Sequence, residues 1–170
     1  MTFEFVCPTC KKTNRGVPAF RAMHAPASYY LVPSEERRAR CSLAEDNCIV
    51  DRKTYLIKGA LELPVHDELE AFSWGVWVAV SEASHTVWKE TRQNLRRSHV
   101  RALPGWLNSW LPLYPSTINL RVLVHLRDDG EAPSIELQPT DHLLSLEQSR
   151  GLSRDRVIQL YDLTVHPKSR

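Results

Sequence analysis

The chain has 170 residues, 42% hydrophobic and 25% charged, a composition that fits one globular domain with a sizeable core. Its formal net charge of +2 selects no class of partner, and no apolar run reaches membrane-spanning length, which excludes a helical membrane span. Met1-Thr2-Phe3-Glu4 lacks the basic and apolar regions of a signal peptide, so the expected compartment is the reducing cytoplasm.

Phe3, Phe5 and Cys7 alternate with Thr2, Glu4 and Val6 and predict a short strand entering Cys7-Pro8-Thr9-Cys10. Residues 11–33 hold Pro18, Pro26 and Pro33 and read as an irregular connection with an extended piece at 28–32. Ser34, followed by Glu35 and Glu36 and then Arg37, Arg38 and Arg40, predicts a short helix over 35–42. Asn47–Val50 and Thr54–Leu63 flank the turn Asp51-Arg52-Lys53 as a hairpin, with Tyr55, Ile57, Gly59 and Leu61 on one face. Phe72–Val80 is almost wholly apolar and predicts a central strand covered on both sides, with Gly75 marking a bulge or a close backbone approach.

Ser81 caps a predicted helix over 82–95, with Ala83, Val87, Trp88, Thr91 and Leu95 as its apolar stripe. Pro104-Gly105 breaks the chain, and Trp106, Leu107, Trp110 and Leu111 suit one or two helical turns. Residues 117–127 alternate as a strand, Asp128-Asp129-Gly130 is a hairpin turn, and 134–137 is the return strand. Asp141 caps a helix over 142–150 ended by Gly151, and Ser153 caps the last helix, lined by Val157, Leu160, Tyr161 and Thr164. The fold class that results is α+β: an antiparallel or mixed sheet of about five to six strands with helices packed on it. One domain spans 1–170, with a zinc-knuckle-like Cys-x-x-Cys element within 1–50 and the C-terminal helices within 139–166.

Several blocks carry a family resemblance. Asn47-Cys48-Ile49-Val50-Asp51, Tyr55–Pro64 and the Phe72-Ser73-Trp74-Gly75-Val76-Trp77 block resemble the bacterial family called domain of unknown function 2199. So do Leu113-Tyr114-Pro115-Ser116-Thr117, the following hairpin to Pro133, and His142-Leu143-Leu144 with Glu147, Gln148 and Gly151. The resemblance implies no activity and supplies no catalytic residues. In the family pattern the Cys-x-x-Cys is followed by glycine and, four positions after the second cysteine, by histidine; here Lys11 and Asn14 occupy those positions.

Cys7, Cys10, Cys41 and Cys48 are the only cysteines. A structural zinc takes four tetrahedral thiolate or imidazole ligands, and a tight Cys-x-x-Cys turn is its usual first half. The four cysteines are therefore the expected zinc set, with Cys41 replacing the histidine that Asn14 displaces. Two alternatives stay open: four ordinary thiols without metal, or a redox Cys-x-x-Cys, although Lys11-Lys12-Thr13 is a poor helix start. The histidines show no His-Glu-x-x-His pattern and read as surface or core groups, with His24 as a spare ligand. There is no Gly-x-Ser-x-Gly elbow and no Gly-rich phosphate loop.

Charge is polarised along the chain. Residues 91–127 contain no Asp or Glu, whereas 35–70 hold nine acids, from Glu35 to Glu70. Arg92, Arg96, Arg97 and Arg101 with Trp106 and Trp110 have the composition of an interface hot spot and form the expected partner-binding segment. The functional expectation is a non-enzymatic protein-binding module stabilised by zinc, with neutralisation of a toxin, as by an immunity protein, as its concrete form. The alternatives are a hydrolase-type enzyme with an unrecognised cleft, and nucleic-acid binding through the Arg-rich 91–127 stretch.

Overall fold

The computed structural model describes residues 2–167. In chain order these form β1 (Glu4–Val6), β2 (Thr13–Arg15), β3 (Ala19–Phe20), α1 (Ala27–Tyr30), α2 (Arg37–Arg40), β4 (Cys41–Leu43) and β5 (Asn47–Val50). There follow β6 (Thr54–Leu63), β7 (Phe72–Val80), α3 (Glu82–Thr91), β8 (Leu103–Leu107), β9 (Arg121–His125), β10 (Ser134–Leu137), α4 (Leu143–Arg150) and α5 (Arg154–Val165).

The β6–β7 hairpin is the axis. Its strands pair antiparallel from Tyr55 opposite Val80 to Leu63 opposite Phe72. Directly opposed residues share a face, so the pleat sorts them into two rows. One row pairs Ile57 with Val78, Leu61 with Trp74 and Leu63 with Phe72; the other pairs Leu56 with Ala79, Lys58 with Trp77 and Ala60 with Gly75. The first row fills the main core, and Leu56 and Trp77 of the second join Val32, Cys48 and Val50 in a smaller one. A strand buried on both faces must be apolar at nearly every position, which is the pattern of 72–80.

Each outer edge of the hairpin is shared by two strands. β8 takes the second half of β7 and β3 takes the first; β5 takes the start of β6 and β10 meets it at Ala60. β8, β9 and β10 continue antiparallel and return to β6, closing a five-stranded barrel. Alternating directions cannot close around an odd number of strands, so one seam must be parallel; it falls between β10 and β6. α3 covers the Tyr55–Val80 end of the hairpin through His85, whose ring lies 5.2 Å from that of Tyr55. α4 and α5 pack at the opposite end, where Leu152 bridges to Val65.

The mixed α+β class is as expected, and the expected antiparallel or mixed sheet of about five to six strands takes the form of a closed five-stranded barrel with flanking strands. Residues 27–30 form α1 where an extended piece was expected, and α2 covers only 37–40 of the expected 35–42. Arg40 is drawn by Asp51 at 2.7 Å to the foot of β4, and Cys41 already pairs with Val50, so the sheet takes the residues that would have continued the helix. α3 ends at Thr91 and buries Ser84, His85 and Trp88, while Leu95 is exposed, so the expected Ala83–Leu95 stripe is rotated. Leu103–Leu107 is a strand, not a helical approach to 106–111. Pro104 is tolerated because pairing with β7 begins at Gly105, where no proline amide is needed. β9 is shorter than the expected 117–127, because Asn119 turns the chain at φ +66°. α4 is capped by His142, whose Nδ1 accepts the Leu144 amide, instead of by Asp141. Ser81 and Ser153 cap α3 and α5 as expected, accepting from the amides of Ser84 and Arg156. No helix among the described residues is long and apolar enough to cross a membrane.

Candidate functional site

β1 delivers Cys7 into a closed turn. The Cys7 carbonyl accepts the Lys11 amide at 3.0 Å, and the Cys7 amide donates to the Lys12 carbonyl at 2.9 Å. The turn forces Lys11 to φ +61°, the left-handed region that favours glycine. The chain then returns as β2, with Asn14 opposite Phe5. A strand follows the turn instead of a helix, so the setting of a thioredoxin-type redox motif is absent here.

The third member of the cluster comes from the other end of the chain. His166, at the C-terminal cap of α5, brings a ring nitrogen close to both thiols: Cys7, Cys10 and His166 each offer a ligand atom within 4.8 Å of the others. His166 Nε2 is buried with no hydrogen-bond partner among the described residues. One turn earlier on α5, Asp162 Oδ1 accepts from Cys7 Sγ and from the Thr9 amide, both at 3.2 Å, and Oδ2 accepts from the Thr9 hydroxyl at 3.1 Å. Amide donation at Lys12 and the Cys7 thiol, with His166 beside it, lower the Cys10 thiol to about 7. Burial raises Cys7 instead. Two sulfurs and an imidazole at this spacing can hold a metal ion.

Cys41 and Cys48 lie elsewhere, which corrects the expected four-cysteine set. They sit diagonally across β4–β5, where Leu43 faces Cys48 and Cys41 faces Val50. Both pack in the smaller core with Leu56 and Trp77. Burial pushes the Cys48 thiol up to about 12 and raises Cys41, as expected of apolar core thiols. His24 joins no metal-ligating group among the described residues. Asn14 is occupied too, accepting from the Tyr161 hydroxyl at 2.8 Å. The signal that could have pointed to α5 is Asp162 and His166 four apart on one helical face.

The Arg/Trp segment divides. Arg92 pairs with Asp46 at 2.5 Å and lies 4.9 Å over Trp88. Arg97 is only 4% exposed; its Nε donates to the Arg127 carbonyl and its Nη2 to the Glu131 carbonyl. Arg96 stands beside Asp128, whose carboxyl it helps to hold below its ordinary value after the Ser98 and Arg97 amides. Arg101 is exposed. Trp106 is 44% and Trp110 41% exposed. Trp106 sits on the outer barrel surface between Ala79 and Arg121, and Trp110 lies 6.4 Å from Tyr30.

A groove of about 730 Å³ crosses the outer face of the β6–β7 hairpin. Its lining includes Lys58, Ala60, Gly75, Trp88 and Arg97.

No curated protein and no solved structure matches the chain significantly. The blocks that line both faces of the β6–β7 hairpin and the seam of the barrel carry a family match over residues 6–152 to an uncharacterized protein conserved in bacteria, DUF2199, and the chain belongs to that family.

Proposed function

We propose that the chain is a non-enzymatic protein-binding module whose N-terminal hairpin is pinned to α5 by a structural zinc on Cys7, Cys10 and His166. Asp162, which accepts from Cys7 Sγ one turn before His166 but stands outside the three-ligand group, would have to move toward the metal to fill the fourth position. A zinc with four protein ligands has no open position for chemistry; it joins the N-terminal turn to α5, where Cys7 and Asp162 are already 155 residues apart in sequence. The observation that carries the binding reading is the exposure of Trp106 and Trp110, since large aromatics left half-open to water on a rigid barrel are the usual anchors of an interface. Arg121, opposite Trp106, and the exposed Arg101 make no ion pair among the described residues and favour an acidic protein surface as partner. A toxin neutralised by this chain is the concrete form of that partner. Arg92 is paired with Asp46 and Arg97 is buried away from the outer surface, which weighs against a nucleic-acid backbone as the ligand of this stretch.

The test joins both parts. Untagged protein is expected to carry about one zinc per chain by elemental analysis, to lose it in Cys7→Ser and His166→Ala, and to keep it in Cys41→Ser and Cys48→Ser. Affinity purification from the native cell is expected to retain a protein that Trp106→Ala/Trp110→Ala releases. Absence of zinc overturns the staple; retention unchanged by the double variant overturns the interface.

A further inference from the structure

The groove on the outer face of the β6–β7 hairpin shares Arg92 and Arg97 with the Arg/Trp segment, but neither Trp106 nor Trp110 lines it. Its floor is almost free of side chains, because Ala60 faces Gly75 across the hairpin. Gly75 is required there: a Cβ would lie 2.3 Å from the Ala22 nitrogen, where the chain after β3 crosses β7 to form one wall. The volume of about 730 Å³ is that of a small-molecule site.

Its charges do not balance. Arg21, Lys58, Arg92 and Arg97 line it on the basic side. Of the lining acids, Asp46 is committed to Arg92, and Glu131 stands 3.9 Å from Arg127, leaving Glu45 at the exposed rim. The Arg97 guanidinium is buried and donates hydrogen bonds to two backbone carbonyls, which fix it without neutralising its charge. Its Nη1 has no hydrogen-bond partner and no carboxylate within ion-pair distance among the described residues. Lys58 is similar: its ammonium lies 4.9 Å over the Trp77 ring and pairs with no carboxylate among the described residues. A buried cation is costly unless paired, and a guanidinium edge held in place by the fold is pre-organised for a planar or tetrahedral oxyanion.

We propose that this groove binds a small molecule through an oxyanion group, a carboxylate or a phosphate, held by Arg97 and Lys58. Trp88 and Phe20 supply apolar wall for the remainder of the ligand.

Inorganic phosphate and succinate are titrated separately into the full chain at constant ionic strength, with chloride as control, and followed by backbone amide NMR shifts. Saturable shifts confined to 58–60, 73–75 and 130–133 are expected, with the two probes competing. Lys58→Gln is expected to weaken binding about tenfold, the equivalent of ~1.4 kcal/mol. Lys58→Glu is expected to abolish it. Arg97→Lys is expected to remove binding while the amide spectrum keeps its dispersion; if that variant unfolds, the two Lys58 variants still decide. Tighter phosphate binding assigns a phosphoryl ligand and tighter succinate binding a carboxylate ligand, and both support the site. Absence of saturation with either probe, or an affinity unchanged by Lys58→Gln, overturns it.

Discussion

Gln148 of α4 and Leu137 of β10 are joined by a 2.7 Å hydrogen bond, the Leu137 amide donating to the glutamine oxygen. The same side chain donates through Nε2 to the Ile135 carbonyl at 2.9 Å and the Glu62 carbonyl at 3.2 Å. One glutamine thus spans the parallel seam of the barrel. Direct pairing there is confined to Ser134 opposite Ala60, with the Ala60 amide donating to the Pro133 carbonyl. Beyond it, the amide of Gln148 substitutes for ladder bonds that the diverging strands no longer make.

Gln148→Leu is therefore expected to destabilise the fold by roughly 1–3 kcal/mol, the cost of leaving a buried donor unpaired. Gln148→Glu keeps an acceptor for Leu137 but sets a carboxylate oxygen against the Ile135 and Glu62 carbonyls, so its denaturation midpoint should also fall below that of the wild type. Urea unfolding of the three proteins checks both losses. Equal midpoints for the wild type and Gln148→Leu would show that the seam does not depend on this side chain.

Gly75→Ala tests the close crossing of β7 by the segment after β3. The added methyl meets backbone at 2.3 and 2.9 Å, which a rotamer change cannot relieve. A loss of about 1–3 kcal/mol is expected for such overpacking. Chemical denaturation measures it, and a midpoint equal to wild type contradicts the crossing.

His85 sets a pH dependence. It is buried between Tyr55 and Trp88, and its Nε2 has no hydrogen-bond partner among the described residues. Burial, and secondarily Lys89, hold its imidazole below the ordinary value of 6.5. The folded state therefore keeps His85 neutral while the unfolded chain takes up a proton below about 6.5. Its contribution to stability is complete above that pH and is lost as the pH falls through it. Unfolding free energies at pH 7.5 and 5.5 should drop more for the wild type than for His85→Phe, which has no proton to gain. Equal drops in the two proteins would remove His85 as the cause.

The amino-acid sequence by itself determined the local features that few residues specify. The apolar run 72–80, the turns at 51–53 and 128–130, the serine caps of α3 and α5 and the tight Cys-x-x-Cys turn all follow from side-chain period, left-handed backbone and capping chemistry. Only the tertiary structure decided which residues meet. Barrel closure depends on where β10 lands on β6, and a pair so distant carries no periodic signal along the chain. Leu103–Leu107 looks like a broken segment until β7 and β9 supply its partners. Cys41 and Cys48 are called away from Cys7 and Cys10 by the pairing of β4 with β5, which turns both thiols into the Trp77 core. The imidazole that completes the cluster arrives from His166 because α5 packs Asp162 against the knuckle, and helix docking is set by burial of Val157 and Leu160, not by spacing from the cysteines. Arg97, which reads as a surface contact in a basic stretch, is buried because the β9–β10 turn brings two carbonyls to its guanidinium.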